Sequence, residues 1–302
     1  MSSELTLLAA PAARAATWRD YVTLTKPRIM ALLVLTAVCA MVAAAHGAPS
    51  LTALAALLVG GACACGGAGA FNHVLDRDID RLMGERTASR PVAAGRIAPE
   101  RAVAFGFALS ALSFVVLAIA ANVLAAALAL TGNLFYVLVY TCWLKRVTPQ
   151  NIVIGGAAGA IPALAGWAAA SGHVGLGALL LFLIVFVWTP PHFWALALLL
   201  ERQYAAACVP MLPVVSGTAA TTRAVLAYSV LLLATTLAPA ALGTFGLLYL
   251  VAAGVLGAAF LALAWRLWRS PTPARASALF HYSLLYLALL FAAVAVDAAV
   301  IG

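Results

Sequence analysis

Nine apolar stretches follow one another along the chain, at roughly 29–46, 51–71, 101–120, 123–142, 152–171, 175–199, 223–242, 246–265 and 278–300. An α-helix rises 1.5 Å per residue, so about 20 residues cross the hydrocarbon core of a bilayer. Lipid offers the backbone no hydrogen-bond partner, and a single spanning segment must therefore close its own bonds as a helix. The expected fold is an all-α polytopic membrane protein of nine transmembrane helices. Only 9% of the 302 residues are charged and 66% are hydrophobic, against roughly 25% charged in a soluble domain. No polar stretch exceeds about 30 residues, too few for a separate domain. Residues 1–20 read as a cytoplasmic lead-in lying on the membrane surface, and 21–302 as one membrane domain. The N-terminus does not read as a cleaved signal: Glu4 replaces a basic run, and Pro11 interrupts a weak apolar stretch.

Basic residues fix the orientation, because Lys and Arg are retained on the cytoplasmic side. With the N-terminus inside and nine crossings, all 17 fall on that side and the C-terminus lies outside. Six arginines, Arg77, Arg81, Arg86, Arg90, Arg96 and Arg101, crowd the connection after the second run. That is more than topology requires, and it suits a polyanionic substrate. The net charge of +8 is thus a matter of topology, anionic headgroups and substrate rather than of nucleic acid. The five cysteines form no CxxC pair and read as small packing residues.

The chain has nine carboxylates, so each position is informative. Asp76, Asp78, Asp80 and Glu85 cluster where the second run ends. Asn72, Asp76 and Asp80 are spaced i, i+4, i+8, on one face of a helix continuing out of the membrane. Like charges one turn apart destabilise a helix unless something positive lies between them. Mg²⁺ suits that place, since it takes oxygen ligands and bridges carboxylates to phosphates. Simple pairing of Asp with Arg on a solvated helix is the competing account, and Asp78, off that face, fits it best. Ser89-Arg90-Pro91 marks the following segment as extended.

Asn72-x-x-x-Asp76-x-x-x-Asp80 resembles the first diphosphate motif of the UbiA-type intramembrane prenyltransferases. Three further stretches resemble the haem O synthase branch of that superfamily. They are Leu24-Thr-Lys-Pro-Arg-Ile29, the run from Tyr140 through Lys145-Arg146 to Gly156 and on to Trp167, and Trp188-Thr-Pro-Pro-His192 leading to Val209-Pro-Met-Leu-Pro-Val-Val215. The resemblance covers roughly residues 20–300. It implies a nine-helix bundle around an apolar cavity open to the cytoplasm, in the cell inner membrane. It implies transfer of the farnesyl group of farnesyl diphosphate to a vinyl carbon of haem B, a substrate here, with water added to give haem O. A downstream haem A synthase or oxidase assembly would receive the product.

On this resemblance Asn72, Asp76 and Asp80 hold Mg²⁺, which stabilises the departing diphosphate. Lys145 and Arg146 join them as catalytic cations, and Lys26, Arg28, Arg90 and Tyr140 bind diphosphate. His192, His73 and Trp188 contact haem, and Tyr140, Trp143 and Trp188 are candidate rings for stabilising a carbocation. Pro190 and Pro191 are expected to interrupt the sixth run; a structural histidine bonded to a freed carbonyl is the other account of His192. Gly155, Gly159 and Gly60 through Gly69 read as close-packing positions. One departure stands out: in Leu200-Glu-Arg-Gln-Tyr204, Gln203 occupies the place of an expected acid, with Glu201 two residues away. Asp297 reads as reaching the outer interface without a role. A UbiA-type enzyme prenylating an aromatic quinone precursor, and a non-catalytic haem-handling protein, are the rival functions.

Overall fold

A computed structural model describes residues 16–301; most of the expected lead-in, Arg14 included, lies outside the described residues. Among those residues nine helices are long and apolar enough to span a membrane. A short helix, α1 (Trp18–Leu24), precedes α2 (Pro27–Ala44) and α3 (Leu51–Leu75). Two short pieces, α4 (Arg77–Leu82) and α5 (Glu85–Ala88), lead to α6 (Pro99–Ala120) and α7 (Val123–Leu134). The last runs on through a π-helical segment, Phe135–Leu144, into α8 (Lys145–Val147). Then come α9 (Asn151–Ser171), α10 (Leu176–Leu199), α11 (Glu201–Ala206), α12 (Leu212–Ala241), α13 (Leu247–Arg269) and α14 (Pro273–Ile301).

Three details differ from expectation. The seventh long helix begins at Leu212, because polar residues too weak in hydropathy to mark a span still form a helix, bent at Gly217 (φ 75, ψ 170). The Pro190-Pro191 pair does not interrupt α10. It removes two N–H donors, and the helix is held in register by the neighbours that enclose it, α2, α9, α12 and α14. The segment around Arg90 is a compact turn, with Ser89 in the αR region and the Ala94 amide donating to the Arg90 carbonyl at 2.8 Å.

The two largest apolar cores of the bundle share two helices. Ala37 and Met41 of α2 and Ala168 and Ala169 of α9 pack with α3, α6 and α7. Cys39, Ala40 and Ala43 of α2 and Ala160 and Ala163 of α9 face α10, α12, α13 and α14. Small residues allow α2 and α9 to touch backbone to backbone, where lipid gives no hydrophobic drive and dispersion must hold helices together. Gly166 is the point of contact: a Cβ there would stand 1.9 Å from the Ala37 carbonyl oxygen. Gly60, Gly66, Gly67 and Gly69 likewise lie against neighbouring helices, whereas Gly159 faces open space rather than a partner. Cys39 is buried as a packing residue, but Cys142 and Cys208 are exposed.

Candidate active site

Asp76 sits at the junction of α3 and α4 (φ −92, ψ 6). Helical bonding nevertheless runs across the junction, from the Asp76 amide to the Asn72 carbonyl (2.9 Å) and from the Asp80 amide to the Asp76 carbonyl (2.7 Å). Asn72, Asp76 and Asp80 therefore share one face, as their spacing predicts. All three side chains are buried, the two aspartates only 1% exposed.

Cations from three separate segments close on that face. Lys145 donates to Asp76 Oδ2 at 2.6 Å, and Arg90 donates to Asp80 Oδ1 at 2.5 Å. Lys26 heads α2 in the left-handed region (φ 52, ψ 57), and its Nζ donates to Asn72 Oδ1. Asn72 Nδ2 donates in turn to Asp76 Oδ2 (2.8 Å) and Thr141 Oγ1 (3.2 Å). Three cations against two carboxylates leave the group with positive charge in excess, in surroundings where little water screens it. Burial, helped by repulsion from Arg90, pushes the Lys26 amine down to about 7. Burial lifts the Asp80 carboxyl above its usual range, against the opposing pull of Arg90.

Asp76 Oδ1 and Asp80 Oδ2 are buried and have no hydrogen-bond partner. Such oxygens are costly to leave bare, and a divalent cation would satisfy both. Among the described residues no three His, Cys, Asp or Glu side chains converge on a point. The available donors are two carboxylates and an amide. That set fits Mg²⁺, which commonly takes one or two carboxylates and fills its octahedron with phosphate and water. Asn72 would join them only by releasing Lys26 from its carbonyl oxygen.

Other expected site residues are placed differently. Arg146 holds Asp78 bidentately at 2.8 Å and the Leu75 carbonyl at 2.7 Å. It straps the π-helical segment to the junction before Asp76 rather than facing the pocket. Its hydrogen bonds keep the Asp78 carboxyl below the usual range, which is the pairing role expected for Asp78. Arg28 is exposed, and Trp143, 61% exposed, points away from the interior. Tyr140 stacks on Tyr136 with centroids 5.5 Å apart, in a recess that Gly155 leaves open. His73 is buried beside Asn72, with Nδ1 unpartnered. His192 and Trp188 lie elsewhere, in the packed interface of α10 with α14. Trp188 Nε1 donates to the Ser283 carbonyl at 2.9 Å, and its ring stacks on His192 at 4.3 Å. The bond of His192 is to the Ser283 hydroxyl, at 2.6 Å, and not to a carbonyl freed by proline.

Sequence reasoning missed Thr141, Tyr136 and Ser283. The first two lie in the π-helical stretch, where i+4 bookkeeping fails. Tyr204 of α11 was quoted but given no role; burial raises its hydroxyl pKa, and it lies within electrostatic reach of Arg90 and Asp76. Gln203 beside it is half-buried, as is Glu201.

A helical membrane bundle carrying a buried cluster of two carboxylates, an amide and three cations at one end has the makings of an intramembrane transferase of phosphorylated lipids. Residues 33–293 match the UbiA prenyltransferase family. The chain is 52% identical over 279 residues to the protoheme IX farnesyltransferase of Gloeobacter violaceus, covering 92% of this chain and 91% of that protein. It is 49% identical over 285 residues to protoheme IX farnesyltransferase 1 of Pseudomonas putida, covering 94% and 96%. With the Chloroflexus aurantiacus protein of the same name it shares 50% over 289 residues, 94% of this chain but 49% of the relative. The chain thus spans about half the length of some curated relatives and more than nine-tenths of others. Its fold is similar to that of digeranylgeranylglyceryl phosphate synthase (TM-score 0.77, 19% identity, 93% and 98% coverage). It is also similar to a UbiA homologue from Archaeoglobus fulgidus bound to DMAPP and Mg²⁺ (0.61, 18%, 92% and 99%). The chain belongs to the UbiA prenyltransferase family.

Proposed function

We propose that this chain transfers the farnesyl group of farnesyl diphosphate to a vinyl group of haem B, giving haem O and diphosphate. What carries the reading is the pair of bare, buried oxygens, Asp76 Oδ1 and Asp80 Oδ2, ringed by Lys26, Arg90 and Lys145. Identity near 50% to proteins named protoheme IX farnesyltransferase supplies the substrates.

The allylic C–O bond breaks with its electron pair leaving on diphosphate, so negative charge grows where the three cations stand. The farnesyl carbon joins the terminal vinyl carbon, the inner vinyl carbon becomes cationic, and water adds there with loss of a proton. Asp76 and Asp80 would hold Mg²⁺, which when bound would supply Lewis-acid stabilisation of the departing anion. Lys145, Lys26 and Arg90 hold and orient that anion, Arg90 with a fork matched to phosphate oxygens. Tyr136 and Tyr140, stacked on one another in the π-helical segment that also carries Thr141, would offer π-surface to the allylic cation. His192 and Trp188, with His73 nearer the pocket, are the haem contacts. The pocket faces the cytoplasm of an inner-membrane protein, where the diphosphate is available, and the product passes to haem A synthase or oxidase assembly.

The test incubates membranes carrying the chain with haem B, farnesyl diphosphate and Mg²⁺ and weighs the extracted haems. The expected product is heavier by a farnesyl and a hydroxyl group. Transfer to 4-hydroxybenzoate with no change in haem would overturn the substrate assignment, and no transfer to either would overturn the enzymatic reading.

A further inference from the structure

The hydroxyl of Ser283 has one proton and two close partners. It lies 2.6 Å from the Phe280 carbonyl oxygen and 2.6 Å from His192 Nδ1. A carbonyl only accepts, so the Ser283 proton goes to Phe280. The Ser283 oxygen is then free only to accept, and His192 Nδ1 must be the donor. A neutral imidazole carries one ring proton, so Nε2 is left with a bare lone pair. The surroundings favour the neutral ring: its neighbours are Trp188, Phe193 and Phe280, with centroids 4.3, 5.1 and 4.9 Å away. Among the described residues no carboxylate pairs with it. The ring's hydrogen bond is made through Nδ1, and His192 is buried. Ser283 itself is fully buried and anchors Trp188 through its carbonyl. The plane that stacks on His192 is thereby fixed as well.

We propose that Ser283 is a positioning residue that locks His192 in its Nδ1–H tautomer, so that Nε2 is presented as a ligand to the iron of bound haem. The inference rests on the reading above that haem meets His192. Histidines that bind metals through one nitrogen are commonly held this way through the other. Sequence gave no hint of it, since Ser283 lies 91 residues from its partner in an apolar run.

The first experiment uses the full chain in detergent, haem-free and labelled with ¹⁵N-histidine. Long-range ¹H–¹⁵N spectra, assigned by the loss of one ring on His192→Gln, are expected to show protonated Nδ1 and bare Nε2. A protonated Nε2 overturns the proposal without any need for a Ser283 variant to fold. The second titrates ferric haem and follows its absorption. Ser283→Ala keeps the backbone anchor of Trp188 and is expected to weaken haem binding ten- to a hundredfold, with loss of the imidazole-ligated spectrum. Ser283→Thr is expected to restore both. Wild-type affinity and spectrum in Ser283→Ala overturn the role of Ser283 alone, provided His192→Ala has lost the imidazole signature. An unchanged spectrum in His192→Ala instead overturns the haem contact itself, and iron ligation with it.

Discussion

Asp76 and Asp80 each give one oxygen to a cation and keep the other bare. Removing either carboxylate outright would leave Lys145 or Arg90 half-buried and uncompensated, so the amide is the cleaner substitution. Asp76→Asn and Asp80→Asn are expected to insert normally and to lose turnover by about 10²–10³, the scale of one lost transition-state electrostatic contact. Near-normal activity of both variants, measured by haem mass, would remove the metal-site assignment. The neighbouring pair Lys145 and Arg146 is a second test. Lys145 touches Asp76 in the pocket, whereas Arg146 is engaged with Asp78 and the Leu75 carbonyl. Lys145→Gln is expected to cost about a hundredfold in turnover, and Arg146→Gln no more than about tenfold, because an exposed pair is worth about 1 kcal/mol or less. Equal losses would place Arg146 in the pocket after all. The acids were legible because three positions at helical spacing define a face. Of the cations the resemblance implies, Lys26, Arg90 and Lys145 close on that face; which of 145 and 146 turns inward was not legible, because adjacent residues differ by about 100° around a helix.

At the scale of single elements, the short α1 is held by charge pairing as well as by burial of Leu24 and the packing of Tyr21 against Phe105. Asp20 accepts from the Thr17 amide (3.0 Å) and from Arg96 (2.8 Å), tying α1 to the turn that carries Arg90. The Thr17 amide, joined by Arg96, holds the Asp20 carboxyl down at about 2. A carboxylate depressed on folding stabilises above its unfolded value, near 4, and loses that contribution as pH falls toward 2. Asp20→Asn is therefore expected to loosen α1 at neutral pH by about 1 kcal/mol. Hydrogen exchange of residues 18–24 should report this, with the difference from wild type closing between pH 4 and 2. A difference that persists at pH 2 would mean the carboxylate charge is not what holds α1. Packing between elements is less forgiving. Gly166→Ala would drive a Cβ into the Ala37 carbonyl and force α2 from α9, costing about 1–3 kcal/mol. A melting temperature equal to wild type would show that the contact yields freely. Helix number and order could be read from apolar runs, because each span must satisfy its own backbone. The π-helical stretch at Phe135–Leu144 and the unbroken α10 could not, because both depend on what neighbouring helices enclose.

Across the whole molecule the two ends of the bundle do different work. The pocket gathers where α3 ends and α2 begins, and by the alternation of helices that is also the end at which α14 starts. Asp297 is 24 residues beyond Pro273, about 36 Å along the axis, at the opposite end. It is buried, contrary to the interface-reaching position its place near the chain end suggested. Its carboxylate accepts from the Gly246 amide at 2.6 Å and the Tyr249 amide at 3.1 Å. Those are orphan donors at the start of α13, whose own N-cap residue, Gly246, brings no side chain to meet them. A carboxylate at a helix N-terminus is favoured by the dipole as well as by the bonds. The cap comes from a residue about fifty positions later, which no local pattern could disclose. Replacing it with alanine strands two buried donors at about 1–3 kcal/mol apiece. Asp297→Ala should therefore melt at a clearly lower temperature in detergent, and Asp297→Asn, which keeps one acceptor, should fall between. Because no pocket residue is touched, farnesyl transfer per folded molecule should stay within about twofold of wild type, comparable to a surface change. An unchanged melting temperature would mean the cap contributes nothing. Lost transfer in a chain that still folds would mean the two ends are coupled through α14, which also carries Ser283.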